Sequence, residues 1–160
     1  MQNSIKEYQQ MVRIGQVPQV YKQLLSIVMR MKAYMEKKDA NYSNFKFSNV
    51  SPGYMDYTYF PFYDESLRGE LLRFGVVLNH AEMRFELWLM GQNADIQSRY
   101  WQLLKDSKWN IQREEMPIYS VLEIVLVASP DFENEKVLFE TVATKAMVDI
   151  REIVTYLNKL

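Results

Sequence analysis

The chain of 160 residues contains no cysteine, a single histidine and only five glycines, and its charges nearly cancel. Each scarcity closes off a class of function. Without cysteine there are no disulfides, no thiolate zinc ligands and no sulfur nucleophile, and the composition suits a reducing compartment. One histidine, His80, is too few for a histidine-rich metal site. It falls in an expected hairpin turn, where an imidazole is usually solvated, and nothing marks the serine and orienting acid that a triad would need. The glycines, at positions 15, 53, 69, 75 and 91, are all isolated. No phosphate-cradling loop, dinucleotide fingerprint or Gly-x-Ser-x-Gly elbow can be assembled from them. Nineteen basic residues against twenty acidic ones give none of the basic excess on which duplex binding depends, so nucleic acid is not an expected partner.

Long apolar runs are missing too. The longest candidate, Val121 to Ala128, contains Glu123 and falls far short of the roughly 20 residues that span a bilayer. The N-terminus, Met1 to Glu7, has no apolar stretch of the signal-peptide kind. The expectation is a cytoplasmic protein without a membrane partner; a protein partner or a homo-oligomer stays open. What is present is a chain that is 48% hydrophobic and 24% charged, without repeats, low-complexity tracts or linkers. That describes one globular domain, 1–160.

The order of elements follows from periodicity. Ser4 is placed to cap a short helix carrying Ile5, Tyr8 and Val12, and Gly15 stops it. Pro18 suits the first turn of a second helix, whose stripe is Val20, Tyr21, Leu24, Leu25, Val28, Met31 and Met35. The period then changes to two. Tyr54, Asp56, Thr58 and Phe60 share one face of a first strand, ended by Pro61. Leu71 to Asn79 and Met83 to Met90 form the next two strands about a turn at Asn79–Glu82. Asn93 caps a helix carrying Ile96, Tyr100, Leu103 and Leu104. A fourth strand fits Ile118 to Val127, and Ser129-Pro130-Asp131 opens a long final helix. The fold class expected is α/β (α+β), with about four strands in a mixed or mainly antiparallel sheet and helices packed on it, in the order α-α-β-β-β-α-β-α.

Two carboxylates stand among aromatic and aliphatic neighbours: Asp56 in Gly53-Tyr54-Met55-Asp56, and Glu86 in Phe85-Glu86-Leu87-Trp88. Either is a site residue or a polar pin. Asp56 can accept hydrogen bonds from a neighbouring strand or a tyrosine, and Glu86 can pair with Arg84 or Arg73. Nine aromatic residues lie between 42 and 63 with one basic residue, Lys46. Single-strand binders interleave aromatics with Lys or Arg, so this stretch reads as core or as a partner-binding surface.

The inferred order of helix, three strands, helix and strand resembles the core of the restriction-endonuclease-like nucleases. That likeness implies a Mg²⁺ or Mn²⁺ site with one acid on the second strand and Asp/Glu-x-Lys on the third. Here Glu70 opens the second strand and Glu86 lies on the third, but the lysine position is Trp88. An indole can neither take a proton from water nor stabilise phosphoryl charge as an ammonium does.

A second resemblance covers most of the chain. Gly53-Tyr54-Met55-Asp56-x-Thr58-Tyr59-Phe60, Phe85-Glu86-x-Trp88-Leu89-x-Gly91-x-Asn93 and Ile96-Gln97-x-x-Tyr100-Trp101 are similar to an uncharacterised family of small bacterial proteins. It implies a bacterial cytosolic protein without a biochemical assignment. It makes Asp56, Glu86, Trp88, Asn93, Gln97 and Tyr100 the residues of a possible polar pocket floored by Trp88. The reading reached is a non-enzymatic ligand- or protein-binding module with no metal or other cofactor. The alternative is a degenerate or metal-dependent nuclease using Glu70 and Glu86.

Overall fold

The computed structural model describes residues 1–160. Helix α1 (Gln2–Ile14) ends at Gly15, whose left-handed backbone (φ 81°) turns the chain into α2 (Gln16–Lys38). A single 3₁₀ turn, Ala40–Tyr42, leads to β1 (Lys46–Phe47), and β2 (Tyr57–Tyr63) follows. Then come α3 (Glu65–Gly69), β3 (Leu72–Asn79), β4 (Arg84–Gly91), α4 (Ala94–Leu104), β5 (Leu122–Val127) and α5 (Glu135–Leu157). The strands form one sheet in the order β1-β2-β3-β4-β5, every pair antiparallel. The class is thus α+β as expected, with five strands rather than about four. The additional strand, β1, is two residues long, too short to show alternation.

Strand alternation decides the layers. Phe60 and Phe62 of β2, Phe74, Val76 and Leu78 of β3, and Phe85, Leu87 and Leu89 of β4 all point to one face and are fully buried. Against them lie Val28, Met31 and Met35 of α2 and Val142, Ala146, Ile150 and Ile153 of α5, with Tyr100 and Leu104 of α4 in the same core. The Tyr42 hydroxyl donates to the Ala143 carbonyl at 2.6 Å, tying the 3₁₀ turn to α5. Burying Tyr42 pushes its phenol well above the ordinary tyrosine range. Tyr42→Phe is expected to lower unfolding stability by about 0.5–1.5 kcal/mol in a urea titration, the net worth of one such bond. The opposite sheet face carries a much smaller cluster, Val77, Trp88 and Met90 with half-buried Tyr57 and Tyr59, all of them strand residues.

Several boundaries differ from expectation for identifiable reasons. Pro61 does not end β2. Its carbonyl accepts from Ser48 N on the β1 side at 2.9 Å, so the missing N–H also faces that side and costs the β2–β3 ladder nothing. Tyr54 and Asp56 precede β2 and lie in a turn; the strand begins at Tyr57. Glu70 caps the end of α3 and is not on β3. This short helix was not expected, although Asp64, whose Oδ1 accepts from Leu67 N at 2.8 Å, is a recognisable N-cap. The fourth expected strand shrinks to Leu122–Val127, and the final helix starts at Glu135, beyond Ser129-Pro130-Asp131. No helix is long and apolar enough to cross a membrane.

Asp149, a half-buried acid of α5, is poorly compensated. Asp149 Oδ2 is buried without a hydrogen-bond partner, and the Lys145 ammonium stands 3.9 Å from it. Burial raises its pKa above the usual carboxylate range, so the folded state holds the proton more tightly than the unfolded chain. Asp149 therefore favours folding as pH falls through its raised folded value, and that contribution is lost at neutral pH. Asp149→Asn is expected to raise unfolding stability at pH 7 by up to about 1 kcal/mol in a urea titration, and to flatten the low-pH dependence.

Candidate functional site

The sheet face opposite the main core builds a cleft edged by the start of α4, and its floor follows from strand register. Arg73, Gly75 and Val77 of β3 stand opposite Met90, Trp88 and Glu86 of β4, and Tyr59 of β2 stands opposite Val77. Gly75 is required here by a close approach: a Cβ on it would meet Met90 Cε at 2.6 Å. The missing side chain lets Met90 lie across the strand.

Glu86 anchors this floor. It is 2% exposed and receives three donors: Trp88 Nε1 at 2.7 Å, Arg84 Nε at 2.6 Å and Asn79 Nδ2 at 3.2 Å. The carboxylate raises the Arg84 guanidinium above its ordinary pKa through that hydrogen bond. It also fixes the indole plane of Trp88, against which Tyr57 packs edge-on with ring centroids 4.8 Å apart. Tyr119, from the segment before β5, lies 6.2 Å from Tyr57. Burial lifts the Tyr57 phenol above its usual pKa, and the charges of Glu123 and Glu86 add to the effect.

The rim is the turn before β2. Asp56 Oδ1 accepts from the backbone N–H groups of Tyr54 at 2.8 Å and Tyr57 at 2.6 Å. Those bonds hold the Asp56 carboxyl below the usual range. Gly53 (φ 72°) and Met55 (φ 61°) both take the left-handed conformation. A Cβ on Gly53 would lie 2.2 Å from the Tyr57 carbonyl oxygen, so only glycine fits. The turn presents Tyr54 almost wholly to solvent at the edge of the cleft.

Behind the turn, Thr58 Oγ1 lies 2.8 Å from both the Pro52 carbonyl oxygen and His80 Nε2. With the Thr58 proton on Pro52, His80 Nε2 carries its hydrogen and donates. Tyr21 of α2 donates to the same carbonyl at 2.8 Å and packs its ring against His80. The Thr58 hydroxyl is fully buried, so this threonine–histidine pair holds the turn and presents no nucleophile. Burial lowers the His80 pKa, with Asp56 opposing. A depressed histidine value means that the unfolded chain binds the proton more readily. Stability contributed by neutral His80 is complete above about pH 6.5. It should fall as pH drops below that value and level off beneath the folded pKa. Urea midpoints between pH 7.5 and 5, compared with those of His80→Asn, check this.

The cleft measures about 440 Å³, within the range of small-ligand sites. Asp56, Trp88, Asn93 and Gln97, four of the six residues singled out from sequence, line it together. Glu86 lies beneath as the partner of Trp88. Asn93 also caps α4, its Oδ1 accepting from Ile96 N at 3.0 Å. Tyr100 does not join them. It enters the main core, and its hydroxyl donates to Glu70 Oε2 at 2.6 Å beside a second cavity of about 730 Å³. Burial, and then that bond, push the Tyr100 phenol up to about 12. Nor are Glu70 and Glu86 brought together. Glu86 pairs with Val77, so the run from Leu72 to Val77 alone separates them by roughly 16 Å at ~3.3 Å per residue. They cannot share one ion, and no three His, Asp or Glu side chains cluster anywhere.

Tyr57, Tyr59, Arg73, Gln92 and Tyr119 also line the cleft and were not anticipated as site residues. The available signal was Arg73, a charge alternating with Leu72 and Phe74 on an otherwise apolar strand.

A family model described as a domain of unknown function (DUF7000) matches residues 1–157, and the chain belongs to that family. No curated protein and no solved structure gives a significant match.

Proposed function

We propose that this DUF7000 chain is a non-enzymatic binding module of the bacterial cytosol, and that its ligand inserts a planar ring into the aromatic cleft. The observation that carries the reading is the buried Glu86–Trp88 bond of 2.7 Å. It preorganises an aromatic floor on the face that carries the smaller cluster. Preorganisation of this kind reduces the ordering cost of binding. The lining supports binding over chemistry. Amides and phenols dominate it, and Asp56, its carboxylate, accepts from two backbone N–H groups. A carboxylate whose Oδ1 is already occupied by two backbone N–H groups has less of its acceptor capacity free to take a substrate proton.

The indole N–H of Trp88 offers a direct test. Its resonance in a ¹H–¹⁵N spectrum, assigned by Trp88→Phe, should move when uncharged ring compounds such as phenol, indole and adenosine are titrated. Backbone signals of Tyr57, Gln97 and Tyr119 should move with it. Shifts that scatter over the molecule, or that leave Trp88 unmoved, would overturn the reading.

A further inference from the structure

Arg73 is the one arginine of this protein with a buried side-chain nitrogen that meets no hydrogen-bond partner. Arg30, Arg84 and Arg113 each pair with a glutamate. Arg73 forms no ion pair and no side-chain hydrogen bond, although its Nε is buried. Asp56, the carboxylate that lines the cleft with it, already receives two backbone N–H groups at Oδ1. A buried guanidinium N–H without an acceptor is costly, and an anionic oxygen placed against it forms a strong charge-assisted bond.

The surroundings extend the argument. A groove of about 450 Å³ adjoins the aromatic cleft and shares Arg73 and Gln92 with it. Arg68, which also pairs with no carboxylate, lines its far side. One path therefore runs from aromatic walls at Tyr57, Tyr59 and Tyr119 to two unpaired guanidinium groups. The backbone of Leu71, in the same groove, takes a positive φ of 57° and is held there by Gln92 N donating to its carbonyl at 2.9 Å. Strained non-glycine residues of this kind concentrate at binding sites. The overall charge of −1 conceals this local positive end.

We infer that Arg73 is the anion-binding residue of the cleft, and that the ligand is a small planar ring carrying a phosphate or a carboxylate. The ring stacks among the tyrosines, and the anionic oxygens take the Arg73 fork, with Arg68 contributing from the groove. This assignment rests on the binding reading above and adds the chemical class to it.

The test follows the Arg73 Nε–H resonance, assigned by Arg73→Lys, together with Trp88 Nε1–H. The probes are adenosine 5′-monophosphate against adenosine, and 4-hydroxybenzoate against phenol; inorganic phosphate and acetate serve as anions without a ring. In at least one pair, the charged member should move both resonances and bind about tenfold more tightly than its uncharged counterpart. Arg73→Gln should abolish that gain and Arg73→Lys should keep part of it, with Trp88 Nε1–H unmoved in the free variants as the check on folding. Which pair responds separates phosphate from carboxylate. Equal binding of charged and uncharged rings, with Arg73 Nε–H silent, would overturn the inference and leave the ring-binding reading standing. Silence of Trp88 towards every ring would remove both. Saturation by a short oligothymidylate without a response to any monomer would overturn the assignment to a small ligand in favour of a nucleic-acid strand.

Discussion

Replacing Glu86 with alanine is expected to lower unfolding stability by about 3–5 kcal/mol, the cost of removing one partner from a buried, charged hydrogen-bond set. Three donors converge on a side chain that is 2% exposed. Without it, the Trp88 indole N–H and the Asn79 amide lose their acceptor in a site that admits little water. The Arg84 guanidinium is about one-third exposed and can turn to solvent, so its share of the loss is the smallest. Glu86→Gln should cost less, about 1–3 kcal/mol. Its single carbonyl oxygen can accept from Trp88 or Arg84, while its NH₂ faces a donor. Urea titrations of the parent and both variants check the order, and the near-ultraviolet dichroism of Trp88 reports whether the indole has come loose. A variant as stable as the parent would show that Glu86 is kept for a ligand rather than for the fold.

The ambiguity posed by the two carboxylates in the sequence resolves differently at each position. The position of Glu86 is legible because Phe85, Leu87 and Leu89 alternate with it, and period-two patterning is robust when one face is fully apolar. Asp56 reads as a strand residue because the alternation from Tyr54 to Phe60 is unbroken in sequence. Only the left-handed conformations at Gly53 and Met55 turn that stretch into a rim, and a methionine at positive φ leaves no compositional trace. The helix partners were legible as well, since Asn93 caps α4 as expected and places Gln97 one turn on. Tyr100 lies apart from the cleft because Leu104, one turn beyond it, draws that side of α4 into the core. The separation of Glu70 from Glu86 depended on locating the start of β3. The short helix α3 displaced that start to Leu72, and helices of one turn carry too little periodicity to be seen. Tyr119 and Arg73 were missed for a different reason. A cleft joins segments distant in sequence, and that proximity is a product of tertiary structure.

Phe62→Ala and Tyr119→Ala should separate sharply, and their contrast decides whether the second sheet face is a site or merely another layer of core. Phe62 is fully buried and meets the rings of Tyr42, Phe45, Phe47, Phe60 and Phe74 within about 6.3 Å. Truncating it leaves a cavity lined by aromatics of the 3₁₀ turn and the residues after it together with Phe47, Phe60 and Phe74 of β1, β2 and β3, and the strand rings cannot close it without breaking register. The expected loss is about 3–5 kcal/mol. Tyr119 is 56% exposed and touches the same sheet from the other side through Tyr57. Its truncation should change stability by no more than about 0.5 kcal/mol while weakening the response of Trp88 to ring compounds. Urea midpoints and the ring titrations, run on the same two proteins, give both axes of the comparison. A loss at Tyr119 approaching that at Phe62 would mean that the tyrosines on this face are held by folding alone. Near-native stability with loss of ring binding would mean that they are exposed at a cost to solubility because something else must cover them, as exposed apolar patches on soluble proteins generally imply.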